Sequence, residues 1–369
     1  MKSLATLGNE LYSGRTSIPF IARRRIWYTI AAVVIAVSAI LVVRPGLNPG
    51  IDFKGGTEVT VTGVPSPSEG PANDVLSAQG LSASSAVTTM GSSSVRVQTN
   101  ELSKAASDSL SAALAQAYGV DAANVSATTI GPTWSSDVTG KAVRGLVIFF
   151  LLVGALIWAY FRTWKMAAAA LLALTHDIII TVGVYAASRF EVTPATIIGV
   201  LTILGYSLYD TVVVFDKIRE NTEAFEAQTR STYAELANLA VNQTFIRSIN
   251  TSVVGVLPVA SLLVVGAFIL GAGTLRDIAL TLFIGMIAGT LSSVFLATPL
   301  LVDMRSRERG VREQAERVAV ARGRRLEQAA DDDEREALAA APAASPLVPG
   351  HHLGVSAQPK NLTKRRRRS

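Results

Sequence analysis

The first group in this sequence that could do chemistry is a carboxylate inside an apolar run. Residues 194–204 carry no charge; Tyr206, Ser207, Tyr209 and Asp210 follow, and residues 212–215 are apolar again. Only then does a charged cluster appear, with Asp216, Lys217, Arg219 and Glu220. On a helix rising 1.5 Å per residue, Asp210 lies roughly 8–9 Å inside Asp216. An Asp near the centre of a spanning helix costs about 2.5–3.5 kcal/mol. The default reading of a group carried at that cost is an ion or proton site.

A second carboxylate has the same character. His176-Asp177 falls near the middle of the apolar stretch 166–188. An adjacent His could share a proton with that Asp. On a helix, however, the two point about 100° apart and cannot both face one partner squarely. A structural hydrogen-bond pair between helices and a proton relay both fit. Arg247 heads a further apolar stretch and is followed by Ser248, Asn250, Thr251 and Ser252. An Arg at an inner helix end anchors topology, and its long side chain could also reach Asp210.

The other motif is GIDFKGGTE, at Gly50, Ile51, Asp52, Phe53, Lys54, Gly55, Gly56, Thr57 and Glu58. It reads as a turn at Gly50, an extended Ile51-Asp52-Phe53, and a glycine pair that permits positive φ or close backbone approach. A strand entry with a bulge accounts for all of it. It lacks the spacing and the following helix of a phosphate loop, and Gly140-Lys141 would need Gly where Ser135 stands. Cysteine is absent, so no disulfide or thiolate chemistry is open to the chain. His176, His351 and His352 are the only histidines, which argues against zinc catalysis. No cofactor and no enzymatic activity is expected.

The elements that must hold these residues are membrane spans. About half of the 369 residues are hydrophobic, and the mean hydropathy is +0.37. An ordinary soluble domain is excluded. Residues 1–25 form a polar, basic N-terminus ending in Arg23-Arg24-Arg25, and residues 26–43 form the first span. A basic start and an apolar run also describe a signal peptide, but Arg44-Pro45-Gly46 ends the run and no A-x-A site follows it. Five more spans fall within 143–303, at 143–161, 166–188, 194–215, 248–270 and 278–302. The connections carrying Arg162, Lys165, Lys217, Arg219, Arg230 and Arg247 are assigned inside, and those carrying Arg189, Glu191, Arg276 and Asp277 outside. The bias predicts six transmembrane helices with both termini cytoplasmic. The inner segment 217–247 reads as an amphipathic helix. Gly285 and Gly289 carry a close-packing signal of low specificity.

Residues 46–141 contain no span and read as a small extracytoplasmic domain. Residues 58–64 alternate as a strand, and 71–79 form a short helix. Residues 86–90 and 95–98 flank a Gly-Ser turn as a hairpin. Residues 101–118 have helical spacing and stop at Gly119, and 124–130 form a last strand. The order predicts an α+β ferredoxin-like sandwich between helices 1 and 2. Residues 304–340 are highly charged and helix-prone, and 304–369 as a whole read as a charged, largely disordered, solvated cytoplasmic tail ending in a basic run at 364–368; that run would also suit anionic lipid or ribosomal RNA.

GIDFKGGT after the first span, HD in the third, YSLYDTVVVFDKIREN in the fourth and RSINTS opening the fifth together resemble the SecD/SecF family of protein-export membrane proteins, within the resistance-nodulation-division superfamily. The resemblance covers residues 26–303. It implies a bacterial plasma (inner) membrane protein that works with a SecD subunit beside the SecYEG channel. The proton gradient would be used to promote late translocation of a preprotein. It implies contacts with membrane lipids, room for an auxiliary Sec subunit, and no nucleic acid. The family's proton-site aspartate falls on Asp210 and its partner arginine on Arg247. Tyr209 departs from the family's usual Asn at that position.

In this reading Asp210 is held ionised by Arg247, Tyr206, Ser207 and Thr251, and protonation weakens the pair. A bundle of six alone would turn Tyr206, Tyr209 and Asp210 toward lipid, so a second six-helix bundle is expected to cover them. The alternative is a proton-coupled exporter of small molecules or lipids in the same superfamily.

Overall fold

Among the described residues six helices are long and apolar enough to cross a membrane, so the chain is a polytopic helical membrane protein. The structure is a computed structural model, and it describes residues 4–266 and 273–339. The first span is α2 (Arg24–Leu41), prolonged by a π-turn to Gly46. The next four are α6 (Pro132–Phe161), α7 (Trp164–Ser188), α8 (Pro194–Asn221) and α9 (Tyr233–Val264). The sixth joins α10 (Gly273–Ser292) to α11 (Thr298–Arg305) through a π-turn.

Local chemistry sets where these helices begin and end. Pro132 and Pro194 stand in first turns, where a missing N–H costs nothing. Capping boxes open α8 at Thr193 with Thr196 and α9 at Thr232 with Glu235. α6 and α7 end where Arg162 (φ 54°) and Arg189 (φ 60°) turn left-handed.

α7, α8 and the sixth span form the centre. About half of each of their apolar windows is buried inside the protein, against 11% or less in α2, α6 and α9. Small residues bring α8 and α10 together. A Cβ on Gly285 would run into Ile203, and one on Gly289 would lie 2.6 Å from the Ser207 Cβ. The packing signal at Gly285 and Gly289 is thus a contact with α8.

Between α2 and α6 the chain forms a four-stranded sheet. β2 (Gly56–Thr62), α4 (Gly70–Ala78), β3 (Ala86–Met90), β4 (Ser94–Thr99), α5 (Lys104–Tyr118) and β5 (Val125–Ile130) follow in order. The strands lie β3-β4-β2-β5, each pair antiparallel. Val59, Val61, Val95 and Val97 pack with Leu76, Leu110 and Leu114 as a core. Gly119 closes α5 in the left-handed conformation.

Several expectations need correction. Residues 51–53 are not extended: Ile51–Lys54 form a one-turn helix, α3. Extended Gly50 opens it and Gly55 (φ 77°) ends it. Gly56 (φ 138°) then starts β2, and its Cβ would lie 2.5 Å from the Thr99 carbonyl. The polar N-terminus contains a helix, α1 (Leu4–Tyr12). Leu11, Phe20 and Ile21 are buried, and Ile18 N donates to Asn242 Oδ1 (2.7 Å). The inner segment ending at Arg247 is no separate helix, since residues from Tyr233 onward are the start of α9.

The charged segment after the last span is helical, as α12 (Arg309–Ala339). It is not solvated along its whole length. Val311 and Val318 are buried, and Gln314 Nε2 donates to the carbonyl of Ser231 (2.9 Å). Residues 267–272 and the Pro/Ala-rich and basic stretches beyond 339, with His351 and His352, lie outside the described residues.

Candidate functional site: a buried carboxylate above an inner cavity

Ser207, Asp210 and Thr211 stand three and four residues apart, which puts them on one face of α8. Each bonds a different neighbour. Ser207 Oγ donates to Asp177 Oδ2 on α7 (2.6 Å). Ser248 Oγ, on α9, donates to Asp210 Oδ1 (2.7 Å). The Thr211 and Ser293 hydroxyls share a bond (2.8 Å) across to the sixth span. The buried face of α8 is therefore tied by a polar contact to each of the three helices around it. A change at Asp210 acts where all three meet.

Asp210 is 6% exposed, and its Oδ2 is buried without a hydrogen-bond partner. That oxygen can take a proton without giving up an existing bond. Among the described residues Arg247 makes no direct ion pair with it, although its charge acts on the carboxylate at a distance. The Arg247 guanidinium is exposed and its Nη2 donates to Tyr209 Oη (3.4 Å). The expected cage is corrected in two further places: Ser207 serves Asp177, and Tyr206 Oη donates to the Thr251 carbonyl (3.2 Å). Ser248 is the residue that sequence reasoning missed as the Asp210 partner. It stands 38 positions away, and the only hint was its place in the polar run after Arg247.

Below Asp210 a cavity of about 540 Å³ opens, lined by Tyr12, Tyr160, Tyr209, Asp216, Gln243 and Arg247 among others. Asp216 accepts from Tyr160 Oη (3.3 Å) at its rim. The side chains of His176 and Asp177 diverge. Asp177 faces α8, whereas His176 lines an apolar groove with Trp27 and Phe295. His176 Nδ1 lies 3.5 Å from Asp177 Oδ1, and neither ring nitrogen has a hydrogen-bond partner.

The lipid-facing picture also changes. Asp210 is inside the bundle and Tyr206 is half-buried. What α8 turns outward is Ile198, Thr202, Gly205 and Tyr209, a stripe at helical spacing.

The glycine motif lies at the far end of the bundle. Gly50 N donates to the Val192 carbonyl (2.9 Å), so β1 (Asn48–Pro49) runs parallel beside β6 (Glu191–Val192). Thr57 Oγ1 accepts from Leu102 N (3.0 Å), fastening β2 to the segment before α5. Asp52 points into a chamber shared with Glu191. The motif and the Asp210 site are thus two separate places. Among the described residues no group of acidic or histidine side chains could hold a metal ion.

Known proteins are similar to this chain over most of its length. Residues 110–307 match the family described as protein export membrane protein SecD/SecF, C-terminal, and residues 40–63 match the SecD/SecF GG motif. The protein translocase subunit SecF of Streptomyces coelicolor is 44% identical over 340 residues, 90% of each chain. That of Mycobacterium tuberculosis H37Rv is 43% identical over 320 residues, 84% of this chain and 72% of the relative. The crystal structure of SecDF, a translocon-associated membrane protein from Thermus thermophilus, superposes with a TM-score of 0.70 at 30% identity. The match covers 79% of this chain and 39% of that one. Both signature regions, the glycine motif and the helices around Asp210, fall inside these matches: the chain belongs to the SecD/SecF family of protein-export membrane proteins.

Proposed function

We propose that this chain is a proton-reading subunit of a protein-translocation complex in a bacterial inner membrane. The single observation that carries the reading is Asp210, a buried carboxylate with one oxygen bound by Ser248 and the other unpartnered, above a cavity that holds Arg247. A proton arriving from outside lands on Oδ2 and removes the charge. Arg247 then stays on Tyr209; when the proton leaves, the guanidinium is drawn to the carboxylate. α8 repacks between these states because Ser207, Asp210 and Thr211 tie it to three helices. One charge crossing the whole membrane releases about 2.3 kcal/mol per 100 mV. That biases a two-state element without driving it one way from a single proton.

The βαββαβ unit with strand order β3-β4-β2-β5 is read as a ferredoxin-like domain on the outer side. Both termini are cytoplasmic in this reading, because Arg23–Arg25, Arg162, Lys165 and Lys217 lie at one end of the bundle. The outward stripe Ile198, Thr202, Gly205 and Tyr209 is the seat for a second six-helix bundle, a SecD subunit. Gly205 supports this, since among the described residues no other helix lies within 4 Å of its Cβ position and a partner helix could approach closely there. The pair would act beside a SecYEG channel on a translocating preprotein, in contact with lipid and open to an auxiliary subunit. The test is Asp210→Asn, which keeps size and removes titration. Gradient-dependent export of a secreted protein should stop at wild-type abundance of the variant; normal export would remove Asp210 from the mechanism.

A further inference from the structure

A buried acid of the bundle bonds directly to the outer sheet. Glu191, in the short connection between α7 and α8, is 8% exposed. Its Oε2 accepts from Arg96 Nη1 (2.8 Å) and its Oε1 from Gln98 Nε2 (2.6 Å), both on β4 of the outer sheet. Gln98 Nε2 also reaches Glu58 Oε2 on β2 (2.8 Å), and Arg96 Nε lies 3.4 Å from Glu58 Oε1. A Cβ at Gly50 would stand 2.7 Å from Glu191 Oε1, so a side chain there would push on this carboxylate. Beside it lies a chamber of about 290 Å³, large enough for several waters.

The charges around this chamber do not balance. Asp52 enters from α3, Glu58 from β2, Glu191 from β6 and Asp277 from α10. Arg96 from β4 faces all of these, and Arg276 adds a second positive charge beside Asp277 (3.2 Å). Lys54, at the end of α3, is exposed and does not line the chamber, and Arg189 is turned away to the carbonyls of Pro45 and Gly46. Four carboxylates thus confront two guanidinium groups in a partly closed space. Lifting the sheet off the bundle would carry Asp52 and Glu58 away from Glu191 and Asp277 and open all of them to water.

We propose that this seat is a proton-linked latch, pinned by Glu191 to Arg96 and Gln98, which takes up a proton from the outer solution as it closes. The acceptor is Asp52, the acid of the glycine motif. Burial, then the neighbouring Glu191 and Glu58, hold its carboxyl above the ordinary carboxylate range in the closed seat. A group raised in the closed state favours closure fully below its ordinary pKa, and loses that advantage as pH rises through the raised value. Acidification on the outside therefore closes the latch, and alkaline conditions loosen it. The external proton concentration is in this way read at the outer domain as well as at Asp210. The latch rests on the outward placement of the sheet proposed above, and is independent of titration at Asp210.

The test uses the purified full chain with whatever bundle accompanies it, in detergent, where both ends see one buffer. The chain has no cysteine, so spin labels at Ser93→Cys in the outer hairpin and Ser188→Cys at the end of α7 report the separation. One proton taken up predicts that the closed-to-open ratio rises by up to tenfold per pH unit of acidification between the raised value of Asp52 and the ordinary carboxylate range, and is flat on either side. Asp52→Asn should abolish that slope, and Asp52→Glu should restore it. Glu191→Gln, or Arg96→Gln should the first fail to fold, should shift the distribution to long distances at every pH. A wild-type distribution that ignores pH, or a slope that survives in Asp52→Asn, would overturn the proposal. Because export is not measured, a failed Asp210 experiment leaves this result standing.

Discussion

Gly289→Ala adds one methyl group at the contact between α10 and α8, and its cost can be worked from the structure. The new Cβ would lie 2.6 Å from Ser207 Cβ and 2.7 Å from Ser207 Oγ. Ordinary carbon contacts are about 3.5–4.0 Å. The two helices must therefore part by about 1 Å, because turning the Ser207 side chain moves its Oγ and leaves its Cβ in place. Overpacking of this kind costs about 1–3 kcal/mol. Shifting α8 also strains the Ser207 Oγ to Asp177 bond of 2.6 Å, and inter-helix hydrogen bonds in membranes contribute about 0.6–1.7 kcal/mol. Together the variant should lose about 2–5 kcal/mol. The assay is reversible unfolding of purified protein in mixed micelles, followed by far-UV circular dichroism. Gly205→Ala is the control, because among the described residues no other helix lies within 4 Å of its Cβ position. If Gly289→Ala unfolds within about 0.5 kcal/mol of wild type, the usual scatter of a neutral substitution, then α8 and α10 are not packed as described.

The remaining predictions follow from the same geometry. Gly205→Leu should leave unfolding of the isolated chain unchanged and weaken co-purification of a second membrane polypeptide; a cysteine at Thr202 should cross-link to that polypeptide, whereas one at Ile203, 3% exposed against α10, should not. Ser93→Cys should react with an impermeant thiol reagent on intact cells and Gln328→Cys should not; the reverse pattern contradicts the topology. Tyr209→Phe removes the hydroxyl that holds Arg247, and should change the rate of gradient-dependent export without changing abundance. Unaltered export would show that the contact plays no part in the cycle.

Much of this architecture was legible because apolar runs and their punctuation are local. Prolines, capping threonines and the charged turns at Arg162 and Arg189 mark the ends of spans, and each acts within a few residues of itself. Asp210 was legible for a different reason: a carboxylate in an apolar helix carries a cost that needs no partner to be noticed. Its surroundings were not. Ser248 is one of several hydroxyls after Arg247, and only helix packing selects it. Asp177 and Ser207 likewise meet across two helices. The one-turn helix at Ile51–Lys54 is shorter than any period that could reveal it, and its glycine boundaries also suit a bulge. Leu11, Phe20 and Ile21 were hidden in a polar N-terminus because single apolar residues make no run. Glu191 read as one charge of an outer connection. Its role appears only when Arg96 and Gln98 arrive from a strand more than 90 positions earlier.

The central claim is that Asp210 carries the proton. Its most direct test is proton movement itself, measured as the internal pH of vesicles holding the purified complex after a pH gradient is imposed. The wild-type complex should pass protons during translocation and Asp210→Asn should not, whereas Asp216→Asn, at the exposed rim of the inner cavity, should retain flux. Wild-type proton flux through Asp210→Asn, or flux lost only in Asp177→Asn, would contradict the account and move the proton path to α7.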